Sequence, residues 1–147
     1  MFPLWLQITL GLSAPLIAIF GAYISYRQWQ LGAYKLKHDL YERRWEIYAA
    51  AHDAIATSVN GPESERYGAY QKLRVRTLSA QFLFPRHICE YLDKLIDEIL
   101  KFNNLEIEIK KNNTLDLRDK HKEIYTWLEL QPKVLVGMLK KYLDLSI

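Results

Sequence analysis

The chain has 147 residues, a formal net charge of +3 and 50% hydrophobic residues. That is room for one modest domain, and it excludes a disordered or low-complexity protein. A single cysteine excludes a disulfide framework and any multi-cysteine zinc site. Charge is unevenly spread: residues 1–26 contain no Asp, Glu, Lys, Arg or His, so all 20 Lys and Arg and all 17 Asp and Glu follow them. The split predicts a transmembrane anchor over residues 1–29 and a cytoplasmic helical domain over residues 30–147.

Within the anchor, residues 6–25 read LQITLGLSAPLIAIFGAYIS. At about 1.5 Å per residue they span roughly 30 Å, the thickness of a hydrocarbon core. Trp5 precedes the run, and Tyr23, Tyr26 and Trp29 close it, where interfacial aromatic belts are expected. Arg27, Lys35 and Lys37 follow, whereas the amino terminus is the sole basic group before them. The positive-inside rule places the N-terminus outside and the rest of the chain in the cytoplasm of a bacterial inner-membrane protein. A cleaved signal peptide needs a basic first region and a small-x-small cleavage site after the apolar run, and neither is present. Gln7, Gly11, Ala14, Ala18, Gly21 and Ser25 recur at spacings of four and three, which aligns them on one seam. Small residues let helix backbones approach in lipid, so the seam predicts self-association, and in the extreme case a lumen. Pro15 removes one backbone donor and predicts a kink.

The cytoplasmic part reads as helices with clear punctuation. Tyr34, His38, Tyr41, Trp45, Tyr48, His52, Ile55 and Val59 repeat at four and three, and Leu36, Leu40, Ile47 and Ala51 widen that stripe into a core-facing surface. Asn60-Gly61-Pro62 ends this helix and starts another, expected from Glu63 to Phe84. After Pro85, the residues Ile88, Leu92, Leu95, Ile99 and Phe102 form an apolar stripe. Residues 105–109 alternate apolar and acidic, but helix is preferred because no partner strand is visible. The last helix starts near 115–119, carries Ile124, Leu128, Leu135, Met138, Tyr142 and Leu145, and should be kinked or split by Pro132. The predicted fold class is all-α: an N-terminal transmembrane helix followed by an antiparallel cytoplasmic bundle of about four helices.

No catalytic constellation emerges. Asp97-Glu98, Glu106 with Glu108, and Asp116 with Asp119 lie in charge-rich stretches that read as solvated faces. His38, His52, His87 and His121 lack the spacing of a zinc site, and no phosphate-binding or dinucleotide-binding glycine motif is present. RNases of the HEPN type carry an Arg followed four to six residues later by His. Here seven residues separate Arg44 from His52 and two separate Arg118 from His121, so that motif is absent. Cys89 reads as a buried free thiol. Catalytic residues, metal ligands and cofactors are therefore expected to be none. A net charge of +3 without a nucleic-acid motif predicts no specific nucleic-acid binding.

The stretch Lys35-Leu36-Lys37-His38-Asp39-Leu40-Tyr41-Glu42-Arg43-Arg44-Trp45-Glu46-Ile47-Tyr48 resembles a group of uncharacterised small bacterial single-pass membrane proteins. In these an N-terminal anchor is followed by a KLKxDLYxRRxxIY-like helix. Gln28-Trp29 and Gln81-Phe82-Leu83-Phe84 fit the same group. The resemblance implies a topology and brings no catalytic residues. The expected partners are the lipid bilayer and further copies of the chain. The expected role is a non-enzymatic membrane effector or accessory factor that permeabilises or depolarises the membrane, in bacterial antiviral defence. The alternatives are an anchored scaffold or sensor that recruits a cytoplasmic protein, and an enzyme with an unrecognised site.

Overall fold

The computed structural model describes residues 3–144; within them, the side chains of residues 4–12 and 14 are not described. Every regular element among the described residues is helical. They run α1 (Leu4–Asn60), α2 (Glu63–Thr77), α3 (Ala80–Leu83), α4 (Arg86–Lys111), α5 (Leu115–Leu139) and a closing 3₁₀ turn (Lys140–Tyr142). The chain divides into two compact units, residues 1–39 and residues 40–147. Among the described residues no helix is long and apolar enough to cross a membrane. Residues 6–12 and the side chain of Ala14, part of the expected span, lie outside that description, as does Leu145.

In the second unit the expected helical bundle is present. The stripe Ile88, Leu92, Leu95, Ile99 and Phe102 on α4 is fully buried, as its period predicted. Leu128, Leu135 and Leu139 of α5 close over the same core. The segment 105–109 is helix, since α4 continues to Lys111. Its length leaves no room for a strand, and Lys110 and Lys111 complement the dipole at its last turn.

Three expectations are corrected. On α1 the buried stripe is Ile47, Ala50, Ala51, Ala54, Ile55 and Ser58, while Tyr34, Leu36, Trp45 and His52 are exposed. The small alanines permit close packing; Ile47, Ala51 and Ile55 sit in the core as expected, Tyr48 packs against its edge, and the rings of Tyr34 and Trp45 stay outside. The expected helix from Glu63 to Phe84 breaks at Leu78-Ser79 into α2 and α3. There the hydroxyls of Thr77 and Ser79 donate to the carbonyls of Leu73 and Arg76, and the break lets Ala80 and Phe84 bury. Finally, α5 runs unsplit through Pro132. Buried Leu128 and Leu135 anchor both sides of the proline, and the Gln131 side chain donates to the carbonyl of Trp127 at 3.0 Å.

Helix boundaries follow local chemistry. Pro62 and Pro85 precede α2 and α4 in extended conformation, with φ near −67° and −63°. Glu63 and Glu65 occupy the first turn of α2, and Arg74 and Arg76 its last, matching its dipole. Gly61 follows α1 directly, and a Cβ there would stand 2.7 Å from the carbonyl oxygen of Thr57. Gly68, inside α2, has nothing within 4 Å of the same position. Gly61→Ala should therefore lower unfolding stability by about 1–3 kcal/mol, whereas Gly68→Ala should raise it by about 0.5–1 kcal/mol. Chemical denaturation of the two variants beside the parent checks both signs.

Candidate functional site

The seam and belt residues of α1 come first. Ala18, Gly21 and Ser25 are exposed, and a Cβ on Gly21 would meet nothing within 4 Å. The side chains of Gln7, Gly11 and Ala14, and of Trp5, lie outside the described residues. Tyr23, Tyr26 and Trp29 are all exposed, and the rings of Tyr26 and Trp29 pair at 6.3 Å. The Gln30 amide donates to the Tyr26 hydroxyl at 2.9 Å. Arg27 and Lys35 are exposed and Lys37 is partly covered. Among the described residues of unit 1, Leu16, Ile17, Ile19, Phe20 and Ile24 are each at least 53% exposed, which leaves large apolar groups bare along one half of the helix, opposite Ala18, Gly21 and Ser25.

In unit 2 a polar cluster forms that the sequence did not announce. Arg66 of α2 donates through one terminal nitrogen to Glu106 of α4 and through the other to the Gly61 carbonyl, at 3.2 Å. His121 of α5 brings Nε2 to 3.5 Å from the second oxygen of Glu106, without hydrogen-bond alignment. Its ring stacks on Phe102, with centroids 4.4 Å apart, and the Arg66 guanidinium lies 5.7 Å from the Phe102 centroid. The expectation that Glu106 belongs to a solvated face is corrected: its side chain is 22% exposed and its partner Arg66 16%. Buried Arg66 Nε and His121 Nε2 make no hydrogen bond. A cleft of about 390 Å³ opens beside the cluster, lined also by Glu63, Lys110 and Arg118. At its rim Lys110 donates to Glu63, and that contact holds the Glu63 carboxyl below the ordinary carboxylate range.

The cluster's chemistry is that of a tie. Each terminal nitrogen of Arg66 holds one partner, and one Glu106 oxygen is held by it. What the arrangement does is join the α1–α2 turn, α4 and α5 at one end of the bundle. Arg66, Glu106 and His121 come from three helices, 40 and 15 residues apart, so no local pattern could have grouped them. His52 and His87 are exposed and stand apart from this cluster. Cys89 is half-buried, its Sγ 3.8 Å from the Phe84 carbonyl, and burial pushes its thiol up.

A second cleft of about 600 Å³ runs between α4 and α5, floored by Leu105, Ile124 and Trp127 and edged by Lys94, Glu98 and Lys120. Lys94 lies 5.4 Å from the Trp127 ring centroid, a cation–π contact. Farther along the same helix pair the Tyr91 hydroxyl donates to Gln131 Oε1 at 3.0 Å. Burial pushes the Tyr91 phenol up to about 12 from its ordinary 10.

Comparison with family models, curated proteins and solved structures finds no match for the chain.

Two tests follow from these groups. A double-mutant cycle on Arg66 and Glu106, both to Ala, should give a coupling of about 1–3 kcal/mol in denaturant unfolding. The same cycle on the exposed pair Lys120 and Asp116, 2.7 Å apart, should give at most about 0.5 kcal/mol. For Tyr91, the folded phenol titrates above the unfolded one, so its stabilisation is complete below pH 10 and is lost as pH rises through about 12. Tyr91→Phe should remove that part of the alkaline decline, read as parent-minus-variant unfolding stability against pH.

Proposed function

We propose that this chain is a single-pass protein of the bacterial inner membrane, anchored by the N-terminal part of α1. In this reading its N-terminus is outside, residues 40–147 form a cytoplasmic helical domain, and copies associate through the anchor. The observation that carries it is the bare apolar surface of α1. Leu16, Ile17, Ile19, Phe20, Tyr23 and Ile24 are each at least 53% exposed and cover one half of the helix, the small residues Ala18, Gly21, Ala22 and Ser25 on the other half are exposed too, and no charge precedes Arg27. A helix that carries no charge on any side and exposes large apolar groups along half its surface needs a cover, and lipid supplies one. The exposed aromatic rings of Tyr23, Tyr26 and Trp29, with Arg27 beside them, suit the interfacial zone of such a span.

Association is supported by Ala18, Gly21 and Ser25, whose small side chains allow a neighbouring helix to come close. A non-enzymatic role, as an effector that permeabilises the membrane or as an accessory factor, is supported by the polar cluster at Arg66, which is spent on joining helices. A second reading is an anchored module that recruits a cytoplasmic partner. The groove between α4 and α5 favours it, since Leu105, Ile124 and Trp127 offer an apolar floor between charged edges.

Carbonate-washed membranes should retain the full chain, and protease added outside intact spheroplasts should leave its C-terminal domain whole. Cross-linking in those membranes should trap multimers, and Gly21→Leu should lower the multimer fraction severalfold. Release by carbonate would overturn the anchor, and a monomer before substitution would overturn the association.

A further inference from the structure

The second unit has two ends of different character. The chain comes in from residue 39 at one of them, which we call the incoming end. Arg44, near the start of this unit, donates from Nε to the Leu83 carbonyl and from a terminal nitrogen to the Tyr142 carbonyl, both at 3.2 Å. Arg76 pairs with Glu46 at 2.6 Å, and the Phe84 and Tyr142 rings meet edge to face at 5.8 Å. These contacts gather the end of α2, all of α3, the start of α4 and the closing 3₁₀ turn at the incoming end. The α4–α5 loop lies at the other end of α4, about 39 Å away for 26 residues.

At the incoming end the surface combines bare apolar groups with cations. Val75, Leu78 and Phe82 follow one another at spacings of three and four, and they are 62%, 72% and 82% exposed. Among the described residues nothing buries them, although Ala80 and Phe84 beside them are buried. The same end of the bundle carries Arg43, Arg74, Arg76, Arg86, Lys140 and Lys141, all exposed. The acids of this end are Glu42, Glu46, Glu90 and Asp144; Glu46 and Glu90 pair with Arg76 and Arg86. The far end is different: there Glu63, Glu65, Glu106, Glu108, Asp116 and Asp119 accompany Arg66, Lys110, Lys111, Arg118 and Lys120.

We infer that the α2–α3 corner docks on an anionic bilayer surface, with Phe82 and Leu78 entering the headgroup boundary and the flanking Arg and Lys side chains meeting lipid phosphates. Exposed Phe and Leu beside a basic rim is the chemistry of an interfacial membrane contact. Long Arg and Lys stems lie along apolar surface while their charges reach the headgroups. The inference rests on the anchored topology proposed above, which brings the incoming end into the neighbourhood of a bilayer and raises the local lipid concentration. It adds to the anchor a second lipid contact, made by the folded domain itself.

The test uses the full chain reconstituted in vesicles, with Cys89→Ala removing the native thiol. A nitroxide is placed by Phe82→Cys, by Lys120→Cys at the far end, or by Phe20→Cys in the anchor. Collisions with oxygen and with a water-soluble nickel complex then report lipid or water at each position. In phosphatidylcholine vesicles containing phosphatidylglycerol, the label at 82 should favour oxygen severalfold over its value in phosphatidylcholine alone. High salt should reverse that gain, because the basic rim acts through screened charges. The label at 120 should stay aqueous throughout.

A label at 82 that stays aqueous in both lipids overturns the inference, and so does one shielded from both reagents, which would indicate a second protein copy on the corner. The label at 20 separates the two levels of the proposal. If it reports lipid while 82 does not, the anchor stands and the docking fails; if it reports water, the anchored reading itself fails.

Discussion

Apolar surface left in water is the constraint on which the rest of this molecule depends. Helix α1 meets it in two ways along one continuous run of residues. In the second unit its stripe of Ile47, Ala50, Ala51, Ala54 and Ile55 is covered by protein and is at most 1% exposed. In the first unit Ile17, Phe20 and their neighbours have no protein over them. At roughly 25 cal/mol per Å² of apolar area, several large side chains left bare would weigh heavily against a stable isolated protein.

The second unit shows how a small bundle is held when its core is modest. Its apolar stripes supply non-directional attraction, and polar ties at its two ends fix which helices meet where. At one end Arg66 reaches a turn carbonyl and a carboxylate on another helix; at the other Arg44 reaches two carbonyls far apart in sequence. Arginine suits both places because its fork of donors can serve two acceptors at once. At Arg66 the tie also leaves the Nε of the arginine and Nε2 of His121 buried without a hydrogen bond.

Surfaces left over after this packing differ in kind. The groove between α4 and α5 balances acids and bases along an apolar floor, whereas the α2–α3 corner exposes Val75, Leu78 and Phe82 amid a surplus of cations. The break at Leu78-Ser79 produces that corner. It buries Ala80 and Phe84, and turning the chain there leaves Leu78 and Phe82 pointing away from the core. A continuous helix would have distributed those residues differently, so a local change of backbone direction created the surface feature that most needs a partner.

The amino-acid sequence by itself determined the helical class, the apolar stripe of α4 and the chargeless head of the chain. Each is a property of neighbours within a few turns, where spacing alone dictates which residues share a face. Its reading of α1 included Ile47, Ala51 and Ile55 of the buried stripe but added Tyr34, Leu36, Trp45 and His52, because a ladder of Tyr and Trp at four and three spacing looks like a core, and it missed Ala50, Ala54 and Ser58, since small residues that pack closely carry little signal. It also carried Glu63–Phe84 as one helix and expected Pro132 to interrupt another. Only the tertiary structure decided these matters, along with the meeting of Arg66, Glu106 and His121. Each depends on contacts between residues distant in the chain, and hydrophobic periodicity holds no information about which distant partners will meet.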